Sequence, residues 1–239
     1  MKIYMDEAWR WPLYWPLHIW LVSANISDKL LKKHELFKDS KALTPKKREQ
    51  AFSEIKELEK SWKILCEIGT ISSKFIDTYW ITRAINTAIS KALYHMISKI
   101  LKSKIKKSIK RSDIIKLIEK YNSEKKDKIE IIIDWKNDFW IGKELGITTK
   151  TIVHWDAENV QISMASILAK VSRDSILDKT AIKYPEYNFD KHKGYGTKLH
   201  YQAIEKHWVL PEHRKLFLKK IFPDWKILKF NESISFSSN

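Results

Sequence analysis

The chain has 239 residues, enough for one or two domains with a full core. Its 44% hydrophobic and 31% charged residues exclude a disordered chain, no apolar run approaches the ~18 residues of a membrane span, and the single cysteine, Cys66, excludes an intrachain disulfide or a cysteine-based zinc cluster. The formal net charge of +16 favours a polyanionic partner, most often nucleic acid, although lysine-rich genomic bias produces the same balance.

Residues 2–5 alternate weakly and stop at Asp6 and Glu7, which reads as a short strand with two carboxylates at its end. Such an acidic pair, where a signal peptide carries its apolar stretch, makes a cytoplasmic protein the expectation. Residues 9–16 contain Pro12 and Pro16 and read as a turn, followed by a strand over 17–24. Thr44 caps a helix over 45–60 that has proline in its first turn. Residues 63–68 form a third strand with Cys66 in its core face. Over 81–101, Ile81, Ala84, Ile85, Ala88, Ile89, Ala92, Leu93, Met96 and Ile97 fall on one helical stripe. The segment 99–128 is rich in lysine, and it reads either as an electrostatic arm or as a solvated helical hairpin. An apolar strand over 129–133 ends at Asp134, and a short strand at 152–153 leads to Asp156. Helices follow over 160–177 and, capped by Thr197, over 197–207. Strands come early and helices late, which predicts one α/β domain over 1–217 with a C-terminal tail over 218–239.

Asp6, Glu7, Asp134 and Asp156 share a placement: each ends or closely follows an apolar strand. Strand ends at one sheet edge can aim several carboxylates at one point, and that is costly unless cations sit among them. Two hard divalent ions about 4 Å apart offset the repulsion and clamp the attacking and leaving oxygens of a phosphodiester. Any one of these acids taken alone also reads as a solvated strand end or cap, and for Asp134 or Asp156 alone that reading prevails.

The segment DEAWRWPLYWP (6–16) resembles D-E-A-G-R-G-P-x-x-G-P, the signature of the type 2 ribonucleases H, ribonuclease HII, with tryptophan at each glycine. FKDSKALTPKKRE (37–49), IDTYWITRAINTAISKAL (76–93), IIIDW (131–135), HWDAENVQISMASILAKVSRD (154–174), YPEYNFDKHKGYGTKLH (184–200) and HWVLPEHRKLF (207–217) are similar to further blocks of that family, in order. The resemblance implies an RNase H-like α/β fold, a central mixed sheet flanked by helices with a helical C-terminal part. It implies hydrolysis of RNA in RNA/DNA hybrids and of single ribonucleotides in duplex DNA, with two Mn2+ or Mg2+ ions held by Asp6, Glu7, Asp134 and Asp156. The ribose-reading triplet of the family falls on Trp9, Arg10 and Trp11, and its sugar-stacking tyrosine on Tyr195. Ser40 and Lys41 are expected to bind phosphate, while Lys170 and Arg173, beside Asp174, are equally substrate contacts or members of a structural ion pair. His192, Lys193 and Arg214 are expected to contact the nucleic-acid backbone. A monomer is expected. The related ribonuclease HIII is disfavoured because it carries an extra N-terminal domain. The alternative is a basic nucleic-acid-binding protein of the same fold without activity, which a metal-dependent cleavage assay separates from the enzyme.

Tryptophan is anomalous. The chain has 5 glycines and 11 tryptophans, whereas average usage of about 7% predicts about 17 glycines. Trp9, Trp11, Trp15, Trp135, Trp155 and Trp208 stand where the resembling pattern has glycine, and Trp80 stands between a loop and a helix, where glycine also fits. No physical rule exchanges the smallest side chain for the largest at so many turns. A codon reading does: some bacterial lineages decode UGA as glycine, and a common alternative table reads it as tryptophan. Trp20, Trp62 and Trp225 are left open by the pattern.

Overall fold

The computed structural model describes residues 1–8, 11–37, 42–152, 159–219 and 221–222. Five strands, β1 (Lys2–Ala8), β2 (Leu17–Ala24), β3 (Ile64–Ile71), β4 (Glu130–Ile133) and β5 (Thr148–Thr151), form one sheet in the order β3-β2-β1-β4-β5. The β1–β2 and β2–β3 pairs are antiparallel; β1–β4 and β4–β5 are parallel. Nine helices lie among the described residues: α1 (Asp28–Leu31), α2 (Pro45–Lys60), α3 (Ser73–Ile100), α4 (Arg111–Lys125), α5 (Ile141–Leu145), α6 (Val160–Lys183), α7 (Phe189–His192), α8 (Lys198–His207) and α9 (Lys215–Leu218). The mixed sheet flanked by helices is the α/β fold expected from the sequence.

Alternation along the strands divides the core. Ile3, Met5, Leu17, Ile19 and Leu21 bury against α3, while Trp20, Val22, Ile64 and Cys66 bury with α2 and α6. Cys66 is a buried free thiol, pushed upward in pKa chiefly by its burial. The predicted stripe of α3 is its core face: Ala84, Ile85, Ala88, Ile89, Ala92, Leu93, Met96 and Ile97 are at most 1% exposed. Gly69 of β3 lets this helix approach the sheet, since a Cβ there would lie 2.0 Å from the Ala88 carbonyl oxygen.

Several boundaries differ from the sequence reading, β1 running on through Asp6 and Glu7 to Ala8 and β3 to Ile71. α3 starts at Ser73, where the Ser72 hydroxyl accepts from Phe75 N at 3.2 Å, and it breaks at Trp80 (φ 68°, ψ 161°). The break hid the first two turns from a periodicity count. The fifth strand is Thr148–Thr151, earlier than 152–153. Its residues are largely exposed, so it lacks the apolar pattern that marks a buried strand. α6 runs on to Lys183. The lysine-rich segment contains α4, whose Ile114, Ile118 and Tyr121 bury against α3.

Candidate active site

Strand register brings two of the four acids together. β1 and β4 lie side by side with Met5 opposite Ile133, so Asp6, within β1, and Asp134, just past the end of β4, stand one residue beyond the last β1–β4 pair. Tyr4 and Ile132 pack with Ile162 of α6, and two residues beyond Tyr4 the Asp6 carboxyl meets the same helix. Glu7, opposite Ile19 of β2, is half-buried, and its amide donates to Asp6 Oδ1 at 2.8 Å. The Ile152 amide donates to the Ile133 carbonyl at 2.9 Å. The chain therefore leaves β5 beside the end of β4, on its way to Asp156.

Asp6 carries the electrostatics. Burial pushes its carboxyl up to about 6, and the Asp134 charge adds to the rise. The Glu7 amide, the Ser166 hydroxyl and the Lys170 ammonium oppose it. Ser166 and Lys170 are one turn apart on α6, whose N-terminus is capped by Asn159 accepting from Gln161 N (3.0 Å) and Ile162 N (3.2 Å). A half-buried carboxylate beside a second one is a hard oxygen donor set that a divalent cation stabilises, so the residues fit such an ion. Among the described residues no three His, Cys, Asp or Glu side chains are grouped to hold one. Asp156 lies outside the described residues, as do Trp9, Arg10, Ser40, Lys41 and Trp155.

The remaining expected residues divide into surface and interior. Tyr195 is 40% exposed, on the loop between α7 and α8. Trp11 is exposed and lies 6.3 Å from the Phe217 ring. Lys193 forms an ion pair with Asp178. Arg173 Nε pairs with its neighbour Asp174 Oδ1 at 2.8 Å, an ion pair between adjacent residues and not across the three- or four-residue helical spacing. His192 and Arg214 are interior. His192 Nε2 donates to the Tyr187 carbonyl at 2.6 Å and its Nδ1 accepts from Gly194 N at 3.2 Å. Arg214 is fully buried, donates from Nε to the Trp15 carbonyl at 3.1 Å and lies over the Phe217 ring. Burial holds its guanidinium down at about 9. Arg214 fastens the C-terminal part to the 11–16 segment, His192 braces its own 187–194 turn, and neither faces an open surface, unlike the contact expected from sequence. Reading the sequence missed Ser166. The only signal was a hydroxyl on an apolar helix face, four residues before Lys170.

Comparison with known proteins adds to this geometry. The ribonuclease HII family model matches residues 3–222. A ribonuclease HII of Clostridioides difficile is 35% identical over 217 residues, 91% of this chain and 69% of the relative. The ribonuclease H2 structure from Pyrococcus horikoshii superposes with a TM-score of 0.66 at 24% identity, over 96% of this chain and 99% of that one. The Bst-RNase HIII structure in complex with Mn2+ gives a TM-score of 0.58 at 13% identity, over 90% of this chain and 64% of that one.

Proposed function

The chain belongs to the ribonuclease HII family, a ribonuclease H family acting on the RNA of RNA/DNA hybrids, and we propose that it cuts on the 5′ side of single ribonucleotides in duplex DNA by a two-metal-ion mechanism. The products are 3′-hydroxyl and 5′-phosphate ends. The observation that carries the reading is the Asp6–Asp134 pair just beyond the last β1–β4 pair, with the Asp6 carboxyl raised to about 6.

Asp6, Glu7, Asp134 and Asp156 would hold the ions. The chemistry a pair of Mg2+ or Mn2+ ions supplies when bound is activation of a water for in-line attack and neutralisation of charge on the leaving 3′-oxygen. The protein's own work is positioning and charge placement. Ser166 donates to Asp6 and keeps one of its oxygens oriented; Lys170 puts a positive charge beside the acids, where a phosphate must approach. Tyr195, exposed on its loop, presents a ring to a sugar. The net charge of +16 attracts the duplex without reading its sequence.

The test is end mapping on a labelled duplex containing one ribonucleotide, with the chain as written and with a form carrying glycine at the tryptophans of the family glycine positions. A single cut 5′ of the ribonucleotide supports the reading. Cleavage on the 3′ side, equal cutting of all-DNA duplex, or binding without cleavage in both forms overturns it, the last favouring the inactive binding protein.

A further inference from the structure

Three histidines outside the proposed chemistry lie buried beneath the Tyr195 loop: His192, His200 and His213. The partners of the last two fix a direction. Of the two contacts of His213 Nδ1, the Leu210 amide at 2.8 Å is much closer than the Leu210 carbonyl at 3.3 Å, so the amide donates to Nδ1 and the His213 proton is on Nε2. His213 Nε2 lies 3.1 Å from His200 Nε2, which must therefore accept. The His200 proton is then on Nδ1, and it is donated to the Tyr195 carbonyl at 2.9 Å. That carbonyl also accepts from Thr197 N at 2.9 Å. Each imidazole is neutral, and burial lowers its basicity. The same module grips the segment that leads away from Asp6 and Glu7. Leu13 N donates to the Gly194 carbonyl at 2.8 Å, Arg214 N donates to the Leu13 carbonyl at 2.7 Å, and Tyr14 forms a strand-like bridge with His213.

We propose that His213 and His200 are positioning residues for Tyr195: a one-way hydrogen-bond relay from the 210–213 turn sets the loop carbonyl, and through it the aim of the ring at the sugar beside the cleaved bond. This rests on the reading of Tyr195 as the sugar-contacting residue. The test is a cycle of variants measured on the single-ribonucleotide duplex, in whichever form of the chain cleaves. His200→Leu removes the donor to Tyr195 and is expected to lower kcat/KM about ten- to a hundredfold, as misplacement of a contacting group does. His200→Asn keeps an amide donor near the Nδ1 position and is expected to recover most of that loss; His213→Gln interrupts the relay at its other end should His200→Leu not fold. In a Tyr195→Ala background the histidine substitutions are expected to cost no further kcat/KM, while their effect on melting temperature persists. Losses that multiply in that background mean the histidines only hold the fold, and the relay is wrong. An unchanged kcat/KM in Tyr195→Ala alone removes the tyrosine reading, and the relay with it.

A second inference rests on backbone conformation alone. Eight of the 11 tryptophans are among the described residues, and five of them, Trp15, Trp62, Trp80, Trp140 and Trp208, have positive φ. Trp80 (φ 68°, ψ 161°) and Trp208 (φ 73°, ψ −174°) occupy a region that is essentially confined to glycine. Trp62 follows the end of α2 in the helix-terminating position glycine favours: Trp62 N donates to the Glu59 carbonyl at 3.0 Å and Lys63 N to the Leu58 carbonyl at 3.1 Å. The indoles of Trp62, Trp80, Trp140 and Trp208 are exposed and anchor nothing in the core. We infer that the natural polypeptide carries glycine at Trp15, Trp80 and Trp208, whose φ of 68–89° lies beyond the 47–58° that Trp62 and Trp140 share with Lys102, Lys126, Phe139, Asn188 and Lys193. Peptide mass measurement on the protein from its native host decides it: glycine at the three inferred positions is expected, and tryptophan overturns the inference. The stability readout is separate. Trp80→Gly and Trp208→Gly are each expected to raise the melting temperature by about 2–4 °C, and a fall in both contradicts the inference.

Discussion

Asp6 is half-buried with Asp134 beside it, and its carboxyl is raised to about 6. Its folded pKa lies above the ordinary value near 4, so between those values the folded state binds more protons, and stability falls as pH rises through that window. At neutral pH the ion-free protein therefore carries an unrelieved charge. Asp6→Asn is expected to abolish cleavage, spare hybrid binding, and raise the ion-free melting temperature by about 2–4 °C at pH 7; a melting temperature that falls counts against the conflict. The positive-φ tryptophans strain the fold in a different way. Each costs about 1–3 kcal/mol against a total stability of about 5–15 kcal/mol. The chain as written is therefore expected to be poorly soluble and inactive until glycine is restored, which paired expression trials check. Asp6, Glu7 and Asp134 were legible because each follows an apolar stretch of strand in the sequence. Ser166 was not, because a buried serine looks like helix filler until its carboxylate partner is placed across from it.

The helices and loops around the sheet were read unevenly, for physical reasons. α6 and α8 announced themselves by apolar runs and by the Thr197 cap, which accepts from His200 N at 3.3 Å. β5 did not, since an exposed edge strand carries no alternation. The histidine module between α7 and α8 gives this region a pH dependence. His200 is held down at about 4 and His213 well below its ordinary value, both chiefly by burial and next by a neighbouring histidine, with Tyr14 and Tyr187 packed against His213. The unfolded chain binds more protons below the ordinary histidine value of about 6.5, so stability is fully present above that value and is lost as pH falls toward 4. Thermal melts from pH 7 to pH 4 are expected to show this loss, reduced in His213→Gln; equal slopes contradict it. In the lysine-rich segment, α4 is bound into the core through Ile114, Ile118 and Tyr121, so excision would unfold the chain. Charge removal at the exposed Lys102, Lys104 and Lys107 is the cleaner probe. Each phosphate that the variant no longer neutralises flattens the slope of log K against log salt by about 0.9. An unchanged slope identifies the segment as a solvated face.

Across the whole molecule, parallel pairing of β1 with β4 is the feature on which the site depends. It puts two carboxylates from residues more than a hundred positions apart on neighbouring central strands, with Asp6 against α6. Ordered sequence blocks gave the family, and neither composition nor periodicity alone reaches the register. Whether these carboxylates form a divalent-ion nuclease centre is decided by Asp134→Asn. Cleavage of a duplex with one ribonucleotide is measured for the glycine-restored chain as parent and for the variant in that same background, with Mg2+ or Mn2+ and again with EDTA. A divalent-ion centre gives a cut only in the parent and only with the ion present, with hybrid binding retained by the variant. Full activity in Asp134→Asn, or activity undiminished by EDTA, would contradict it.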